Sequence, residues 1–344
     1  MERDLIAMAA VLGVAAVGAY VLTPLAEKLC WRFGLVDRPR PGELQTRPAA
    51  RAGGYAIIGA FLTALAVSLA LFPRAPAEQA RLVGFLIGLA LVVPLALIDD
   101  LKRLTPGQQA TGQLAIAAAP VAFGIAIDSV ASPFGGLIEL PLFVALPFTI
   151  FWIVGMVNTL NFVDTMDGLA TGIAAIAAAI LFVRAFSQGQ YSIAVLALAL
   201  AGACLGFLPR NFSPARIFAG SGGSYFLGYA LATLAIIGGA KIATAIMVLG
   251  LPIVDVAAVI LRRLAAGRSP FRGGDDAHLV HRLAAAGMPQ RRIAVLAYAG
   301  CALAGWLALS LTSMQKLYVF GAVGFVLAAL AVALVVRVRR AATG

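Results

Sequence analysis

The chain has 344 residues, of which 62% are hydrophobic and 12% are charged. A water-soluble globular protein is about half apolar and about a quarter charged, so the composition excludes that class and indicates an integral membrane protein with many spans. The three cysteines show no paired spacing, which argues against a disulfide or zinc framework.

Eleven apolar stretches are long enough to cross a bilayer at ~20 residues per span. Prolines interrupt the approach to the fifth stretch, so ten spans are the alternative count. Only Gly238-Gly239-Ala240 separates the eighth stretch from the ninth, which predicts a tight hairpin or a broken helix at this point. We therefore predict one all-α, polytopic transmembrane domain over 1–344. The predicted spans are 5–26, 53–72, 82–98, 108–127, 137–157, 168–186, 191–208, 222–239, 241–261, 293–312 and 317–336.

The basic residues predict how these spans are oriented. With the N-terminus outside, 20 of the 26 Lys and Arg residues fall on the inner side, mainly in 27–51 and 262–292. Cytoplasmic loops of membrane proteins carry such an excess, so we predict an outer N-terminus and a cytoplasmic C-terminus. The net charge of +11 then serves orientation and contact with lipid headgroups, and it requires no nucleic-acid partner.

Acidic residues gather on the same side. Ten of the fifteen Asp and Glu residues and both histidines lie there. Carboxylates beside hydrocarbon are costly and usually mark a functional site. The densest stretch holds two amides and two carboxylates at three-residue intervals, namely Asn158, Asn161, Asp164 and Asp167. We therefore predict that the active face is cytoplasmic.

The 158–167 segment predicts a helix that ends inside the site. On an α-helix each three-residue step falls about 60° short of a full turn, so Asn158 and Asp167 would face opposite ways. A 3₁₀-like end would align all four polar side chains instead. Gly168 can provide the turn that follows.

Asp99 and Asp100 close the third predicted span. Neighbours on a helix point about 100° apart, so the two carboxylates cannot share one face. One of them can hold a metal while the other meets a different group. Taken alone, the pair is also compatible with simple solvation at the membrane interface.

The last inner loop, 262–292, supplies basic and imidazole groups. His278 and His281 share a helical face with Arg282 beside them, and Arg268 lies in a Gly- and Pro-rich stretch. Arginine forks suit a nucleotide diphosphate, and they would equally suit anionic lipid headgroups. Zinc needs three or four ligands, which two histidines without a nearby cysteine do not supply.

A Gly- and Ser-rich segment, 218–225, opens the eighth predicted span. Backbone N–H groups at a helix N-terminus can cradle phosphate. Gly and Ser also permit close helix packing in membranes, so the sequence leaves both roles open.

Together and in order, these segments resemble the polyprenyl-phosphate N-acetylhexosamine-1-phosphate transferase family, whose members start peptidoglycan, common-antigen, teichoic-acid and O-antigen lipids. The resemblance spans nearly the whole chain, and the first loop is most similar to the common-antigen and teichoic-acid branch. The residues that match the family motifs are Asp37, Pro39, Thr46, Arg47, Arg51, Gly53, Gly54, Asp99, Asp100, Asn158, Asn161, Asp164, Asp167, Gly168, Phe218, Gly220, Gly223, Ser224, Pro252, Asp255, Arg268, Ser269, Pro270, Phe271, Asp275, His278, His281, Arg282 and Leu283.

Several positions depart from the family pattern. Ser221 stands where the family carries the aspartate that usually binds magnesium, and Val280 replaces the middle histidine of the last-loop motif. Thr165 replaces a glycine, Gln45 a first-loop histidine, and Arg103 a third acid after the aspartate pair.

The resemblance implies transfer of an N-acetylhexosamine-1-phosphate from a UDP-sugar to undecaprenyl phosphate in the bacterial inner membrane, with release of UMP. The loop patterns favour a GlcNAc-type donor over the MurNAc-pentapeptide donor. Because all the reacting groups are anions, the resemblance also implies Mg²⁺, with Mn²⁺ as the alternative. The expected partners are undecaprenyl phosphate, a UDP-N-acetylhexosamine and membrane lipids, and a homodimer is compatible with the sequence.

The motif positions also imply roles for individual residues. We expect Asp99 to deprotonate or orient the lipid phosphate, and the metal to be held by Asp100, Asp164, Asp167 and Ser221. His278 and His281 are expected to act on the diphosphate. The remaining candidates for substrate binding are Asn158, Asn161, Arg47, Arg51, Arg268, Arg282 and Ser224.

Two other functions fit parts of the pattern. Loss of the aspartate at Ser221 and of the histidine at Val280 could leave a catalytically impaired paralogue that binds a lipid phosphate or a partner protein. A secondary transporter would carry ionisable groups near the bilayer midplane on paired broken helices, whereas the acids here gather at the inner ends of the spans. Release of UMP from a UDP-sugar would distinguish the enzyme from both.

Overall fold

α-Helices form nearly all of the structure, which is a computed structural model that describes residues 2–39, 45, 47–132, 134–237, 242–265, 267, 278–312, 314–322 and 324–325. The named helices are α1 (Glu2–Phe33), α2 (Gly54–Leu71), α3 (Pro76–Lys102), α4 (Pro106–Ala122), α5 (Leu142–Val163), α6 (Leu169–Ser187), α7 (Tyr191–Asn211), α8 (Gly220–Ile237), α9 (Ile242–Val248), α10 (Gly250–Ala265), α11 (Leu279–Ala285) and α12 (Gln290–Ser310).

Within these ranges, eight helices are long and apolar enough to cross a membrane, and the pair α9–α10 adds a ninth if it counts as one span. The predicted all-α, multi-pass class is therefore confirmed. The count of eleven is not confirmed, since α4, with 17 residues, is not among these helices. Most of the predicted span 317–336 lies outside the described residues, and the predicted orientation stays a prediction.

The predicted span 241–261 is bent and is formed by two helices, α9 and α10. α9 and α10 meet at an angle of 77°. Pro252 lies in the first turn of α10 and has no N–H to donate to the carbonyl of Val248, which interrupts the helical hydrogen bonds at this point. The Gly238-Gly239-Ala240 connection lies outside the described residues.

Two short antiparallel ribbons were not predicted. β1 (Val36–Asp37) pairs with β2 (Ala49–Ala50), and β3 (Ser129–Ala131) pairs with β4 (Leu137–Glu139). Strands of two or three residues are too short to show an alternating pattern in the sequence.

The first ribbon ties the segment between α1 and α2 to the start of α8. The N–H of Ala50 donates to the carbonyl of Arg216 at 3.1 Å, and the N–H of Phe218 donates to the carbonyl of Ala50 at 2.7 Å. Residues 50 and 51 are thereby fixed beside the first turn of α8.

α8 is the central helix, with every residue from Ser221 to Ile237 buried. It packs against α2, α3 and α5, among others. Two hydrogen bonds join it to α3 and α5: the hydroxyl of Tyr229 on α8 donates to the carbonyl of Phe85 at 2.8 Å, and Trp152 Nε1 donates to the carbonyl of Ala232 on α8 at 3.1 Å. This packing brings the first turn of α8 to the ends of its neighbours.

A tight turn between α3 and α4 places the aspartate pair. α3 ends at Lys102, and Arg103 adopts a left-handed φ of 52°. The Thr105 side chain and Gln108 then cap α4, and Pro106 occupies its first position, where a missing N–H costs nothing. Asp99 and Asp100 lie in the last turn of α3 and therefore face the start of α8.

The contact between α2 and α8 permits almost no side chain at Gly54, because a Cβ there would collide with the backbone of Gly223. We expect Gly54→Ala to push the two helices apart, and overpacking of this kind costs about 1–3 kcal/mol. The thermal unfolding temperature of the detergent-solubilised protein should fall. Gly155→Ala in α5 is the control, since a Cβ there has no neighbour within 4 Å. Equal unfolding temperatures for the two variants would contradict this packing.

Candidate active site

Two carboxylates meet the N–H groups of the first turn of α8. The N–H of Ser221 donates to Asp100 Oδ1 at 3.0 Å, and that of Gly222 to Asp100 Oδ2 at 3.3 Å. Asp164 lies close enough to the N–H of Gly220 for that group to lower the pKa of its carboxyl. Unpaired N–H groups at a helix start attract anions. The predicted phosphate cradle is therefore occupied by carboxylates of the same chain, and it brings two predicted metal ligands together.

Asp99 turns to a different set of partners. Its Oδ1 accepts from the N–H of Leu104 and from Gln109 Nε2, both at 2.9 Å, and its Oδ2 accepts from Ser221 Oγ at 2.6 Å and from the Tyr225 hydroxyl at 3.2 Å. A carboxylate has about four acceptor positions, so all of them are filled. The two aspartates therefore accept from different sets of donor atoms, although both bond to Ser221. The geometry does not support Asp99 as the group that deprotonates the lipid phosphate.

Arg51 supplies positive charge next to Asp100. Its Nε lies 3.7 Å from Asp100 Oδ1, and its side chain is 25% exposed while that of Asp100 is fully buried. The first ribbon fixes Arg51, because its N–H donates to the carbonyl of Leu35 at 2.9 Å. Arg51 thus connects a buried carboxylate with the solvent-accessible side of the site.

The end of α5 is α-helical as far as Val163, and Gly168 then adopts a φ of 73° before α6 begins. The predicted turn at Gly168 is confirmed, whereas the 3₁₀-like end that would align four side chains is not formed. Asn158 bonds to α4, where its Nδ2 donates to Gln113 Oε1 at 2.6 Å. Asn161 Oδ1 instead accepts from Ser224 Oγ at 3.0 Å.

Asp164 follows α5 and is half-buried. Burial raises the pKa of its carboxyl well above the usual range, and the charges of Asp100 and Asp167 raise it further. The N–H of Gly220 opposes this effect. Charge repulsion between carboxylates is therefore built into this part of the site, and a cation placed between them would relieve it.

Asp167 faces a cavity of about 260 Å³. Its Oδ2 accepts from the N–H of Ala215 at 3.0 Å. Arg291 Nε closes another side of the cavity by donating to the carbonyl of Ser213 at 2.6 Å. The cavity lining combines cationic, amide and aromatic groups, including Gln45, Arg47, Phe218 and Gln290.

The start of α11 reaches the end of α5. Asp255 on α10 accepts from the N–H of Leu279 at 2.8 Å and is bonded to His278 Nδ1 at 2.7 Å. His281 Nε2 lies 3.2 Å from the Thr165 hydroxyl. Both predicted histidines therefore lie next to the end of α5. Arg282 lies beside His281 on α11, while Arg268 lies outside the described residues.

The aspartates of α3, the end of α5 and the first turn of α8 lie in the part of the chain that matches a known family model. The model described as glycosyl transferase family 4 matches residues 82–239. A probable undecaprenyl-phosphate N-acetylglucosaminyl 1-phosphate transferase from Bacillus subtilis (strain 168) is 33% identical over 286 residues, which cover 81% of this chain and 77% of the relative. The chain belongs to glycosyl transferase family 4.

Other family members extend the comparison. Decaprenyl-phosphate N-acetylglucosaminephosphotransferase from Mycobacterium tuberculosis (strain CDC 1551 / Oshkosh) is 33% identical over 317 residues, with 83% of this chain and 77% of the relative covered. Phospho-N-acetylmuramoyl-pentapeptide-transferase from Listeria welshimeri is 31% identical over 237 residues, with 65% and 72% covered.

The side chains that could bind Mg²⁺ in this family member are the aspartates and Ser221 of the site. Among the described residues, no group of three or more His, Cys, Asp or Glu side chains is arranged to hold a metal ion. The predicted set of four is not assembled, because Ser221 Oγ donates to Asp99 and Asp167 turns to Ala215. Asp100 and Asp164 converge on α8, and Mg²⁺ commonly takes only one or two carboxylates, with water and phosphate oxygens as its other ligands. The site fits Mg²⁺ through this pair.

Sequence reasoning missed the polar side chains that support the aspartates. Gln109 and Gln113 are four residues apart and share one face of α4, where they bond to Asp99 and Asn158. The pattern that could have predicted their role is the presence of two amides on one face of an otherwise apolar helix. Tyr225 gave none, because an aromatic residue in a membrane span is more often part of the core.

Asp255 fixes the start of α11 through two hydrogen bonds. We expect Asp255→Ala to leave the N–H of Leu279 and the His278 ring without their partner, and hydrogen bonds to charged groups contribute about 1.5–3 kcal/mol each. The thermal unfolding temperature should fall. Asp255→Asn keeps an acceptor for the Leu279 N–H, so its unfolding temperature should fall less than that of Asp255→Ala. An Asp255→Ala variant as stable as the wild type would show that this contact does not hold α11.

Proposed function

We propose that the protein transfers N-acetylglucosamine-1-phosphate from UDP-N-acetylglucosamine to undecaprenyl phosphate in the bacterial inner membrane. An oxygen of the lipid phosphate attacks the phosphorus that carries the sugar. The bond from this phosphorus to the bridging oxygen breaks, and UMP leaves with that oxygen. The observation that carries the proposal is the convergence of Asp100 and Asp164 on the first turn of α8, beside an arginine-lined cavity.

The relatives support the choice of sugar and acceptor. The two relatives named for N-acetylglucosamine transfer align over 81% and 83% of this chain, and the pentapeptide transferase aligns over 65%. The names of the first two also specify a polyprenyl phosphate. The impaired-paralogue alternative finds no support in these names, and no contact in the site favours it.

The cavity beside Asp167 suits the nucleotide part of the donor. Phe218 offers an aromatic face for a base, and Asp167 offers an acceptor for its N–H groups or for ribose hydroxyls. Arg47 and Arg291 lie on the same cavity and carry the donors that phosphate oxygens prefer. A volume of about 260 Å³ is enough for a nucleoside and leaves the sugar outside, toward α11.

The chain must bring two anionic substrates together, and its own charges are placed for that task. Arg51 lies on the exposed side of Asp100 and can contact a phosphate. His281 reaches the end of α5 through Thr165, so imidazole and the neighbouring Arg282 flank the place where the sugar-phosphate would lie. Mg²⁺, or Mn²⁺ as the alternative, would be held by Asp100 and Asp164, and when bound it would neutralise phosphate charge.

Replacement of either converging carboxylate tests the proposal. Asp100→Asn and Asp164→Asn should each lower kcat for UMP release by at least about 10²-fold, because loss of one preorganised electrostatic group typically costs that much. The assay uses purified protein, undecaprenyl phosphate, Mg²⁺ and UDP-N-acetylglucosamine. The matched control is Asp128→Asn, which removes an exposed acid beyond the other end of α4. Full activity of Asp100→Asn would refute the site, and a wild-type protein that releases no UMP from any UDP-N-acetylhexosamine would refute the function.

Arg47 tests the assignment of the cavity to the nucleotide. Arg47→Ala should raise KM for UDP-N-acetylglucosamine about tenfold with a smaller change in kcat, which is the pattern for a contact made equally in the ground and transition states. Arg32→Ala, which removes an exposed arginine from the last turn of α1, should leave both constants unchanged. A decrease in kcat at constant KM would place Arg47 at the reacting phosphate instead.

A further inference from the structure

We propose that Asp99 is a positioning residue whose carboxylate joins α3, α4 and α8, and that it exchanges no proton with the substrate. This inference rests on the proposed function for its kinetic part, and on the geometry alone for its structural part. It assigns different tasks to two adjacent aspartates: Asp100 accepts two N–H groups and lies next to Arg51, whereas all acceptor positions of Asp99 are filled.

The first argument is that Asp99 has no acceptor position left. It is 6% exposed, and its four hydrogen bonds come from Leu104, Gln109, Ser221 and Tyr225. A group that takes a proton from a substrate needs to lie within hydrogen-bonding reach of that proton. Asp99 could do so only by giving up one of these buried bonds, which would leave a buried polar group unpaired.

The second argument is where the four donors come from. Leu104 lies in the turn after α3, Gln109 on α4, and both Ser221 and Tyr225 on α8. One carboxylate therefore fixes three elements relative to each other. We call these five residues the Asp99 clasp: Asp99, Leu104, Gln109, Ser221 and Tyr225.

Ser221 connects the clasp to Asp100. Its hydroxyl donates to Asp99 at 2.6 Å, while its N–H donates to Asp100 at 3.0 Å. The position of Asp100 thus depends on the same residue that Asp99 holds. The serine in place of the family's aspartate is essential to this arrangement, since a carboxylate at 221 would repel Asp99 instead of donating to it.

The clasp can survive without its charge. In Asp99→Asn, the amide oxygen can accept from the Leu104 N–H and Gln109, and the amide nitrogen can donate to the hydroxyl oxygens of Ser221 and Tyr225, because hydroxyls both donate and accept. Asp99→Ala removes all four bonds. A positioning role therefore predicts rescue by asparagine, and a proton-accepting role predicts none.

The experiment compares Asp99→Asn with Asp99→Ala in the UMP-release assay across a range of pH. We expect Asp99→Asn to keep kcat within about tenfold of wild type and to leave the acid limb of the pH profile in place, whereas loss of a general base typically costs about 10²–10⁴-fold. Asp99→Ala should lose both kcat and thermal stability. A hundredfold or larger loss in Asp99→Asn at an unchanged unfolding temperature would overturn the proposal.

A second measurement separates this proposal from the proposed function. If the wild-type protein releases no UMP, the unfolding temperatures of Ser221→Ala, Asp99→Ala and the double variant still test the clasp. We expect Ser221→Ala to lower the unfolding temperature less in the Asp99→Ala background than in the wild type, since the shared bond is already lost. Additive effects would refute the clasp. If Asp99→Ala fails to fold, Tyr225→Phe takes its place in the same cycle.

Discussion

The structure depends on how the unpaired N–H groups at the start of α8 are satisfied. A helix begins with N–H groups that lack partners within the helix, and here the helix is buried on every side. Asp100 accepts from the N–H groups of Ser221 and Gly222, and Asp164 lies near the N–H of Gly220. This requirement places α3 and the end of α5 at one point, and the candidate site forms where they meet.

Small residues make that meeting possible. Gly54 of α2 lies against the backbone of Gly223, and Gly228 approaches the carbonyl of Met156 in α5 so closely that a side chain there would collide. In a membrane such contacts replace the hydrophobic effect as the source of helix association. The close contacts at these glycines therefore bring the helices near enough for the carboxylates to reach the start of α8.

The sequence predicted the elements and the chemical groups better than it predicted their contacts. Apolar stretches of sufficient length locate most of the helices, and the acids on one side locate the site, because both patterns follow from the cost of polar groups in hydrocarbon. The break before Pro252 and the two ribbons were missed, since they depend on one or two residues. The orientation of Asn158 toward Gln113 could not be predicted, because the register between α4 and α5 is set by packing. The role of Asp99 likewise depends on donors that are distant in sequence.

The buried start of α8 also separates the part of the site that can vary from the part that cannot. Residues around Ser221 are enclosed by backbone and by paired carboxylates, so almost any larger side chain there would disturb several helices together. The cavity wall at Arg47 and Arg291 comes from connecting segments, where substitutions meet fewer neighbours. A change of donor specificity, whether by evolution or by design, would therefore be accommodated in the connecting segments, while the helical wall stays constant.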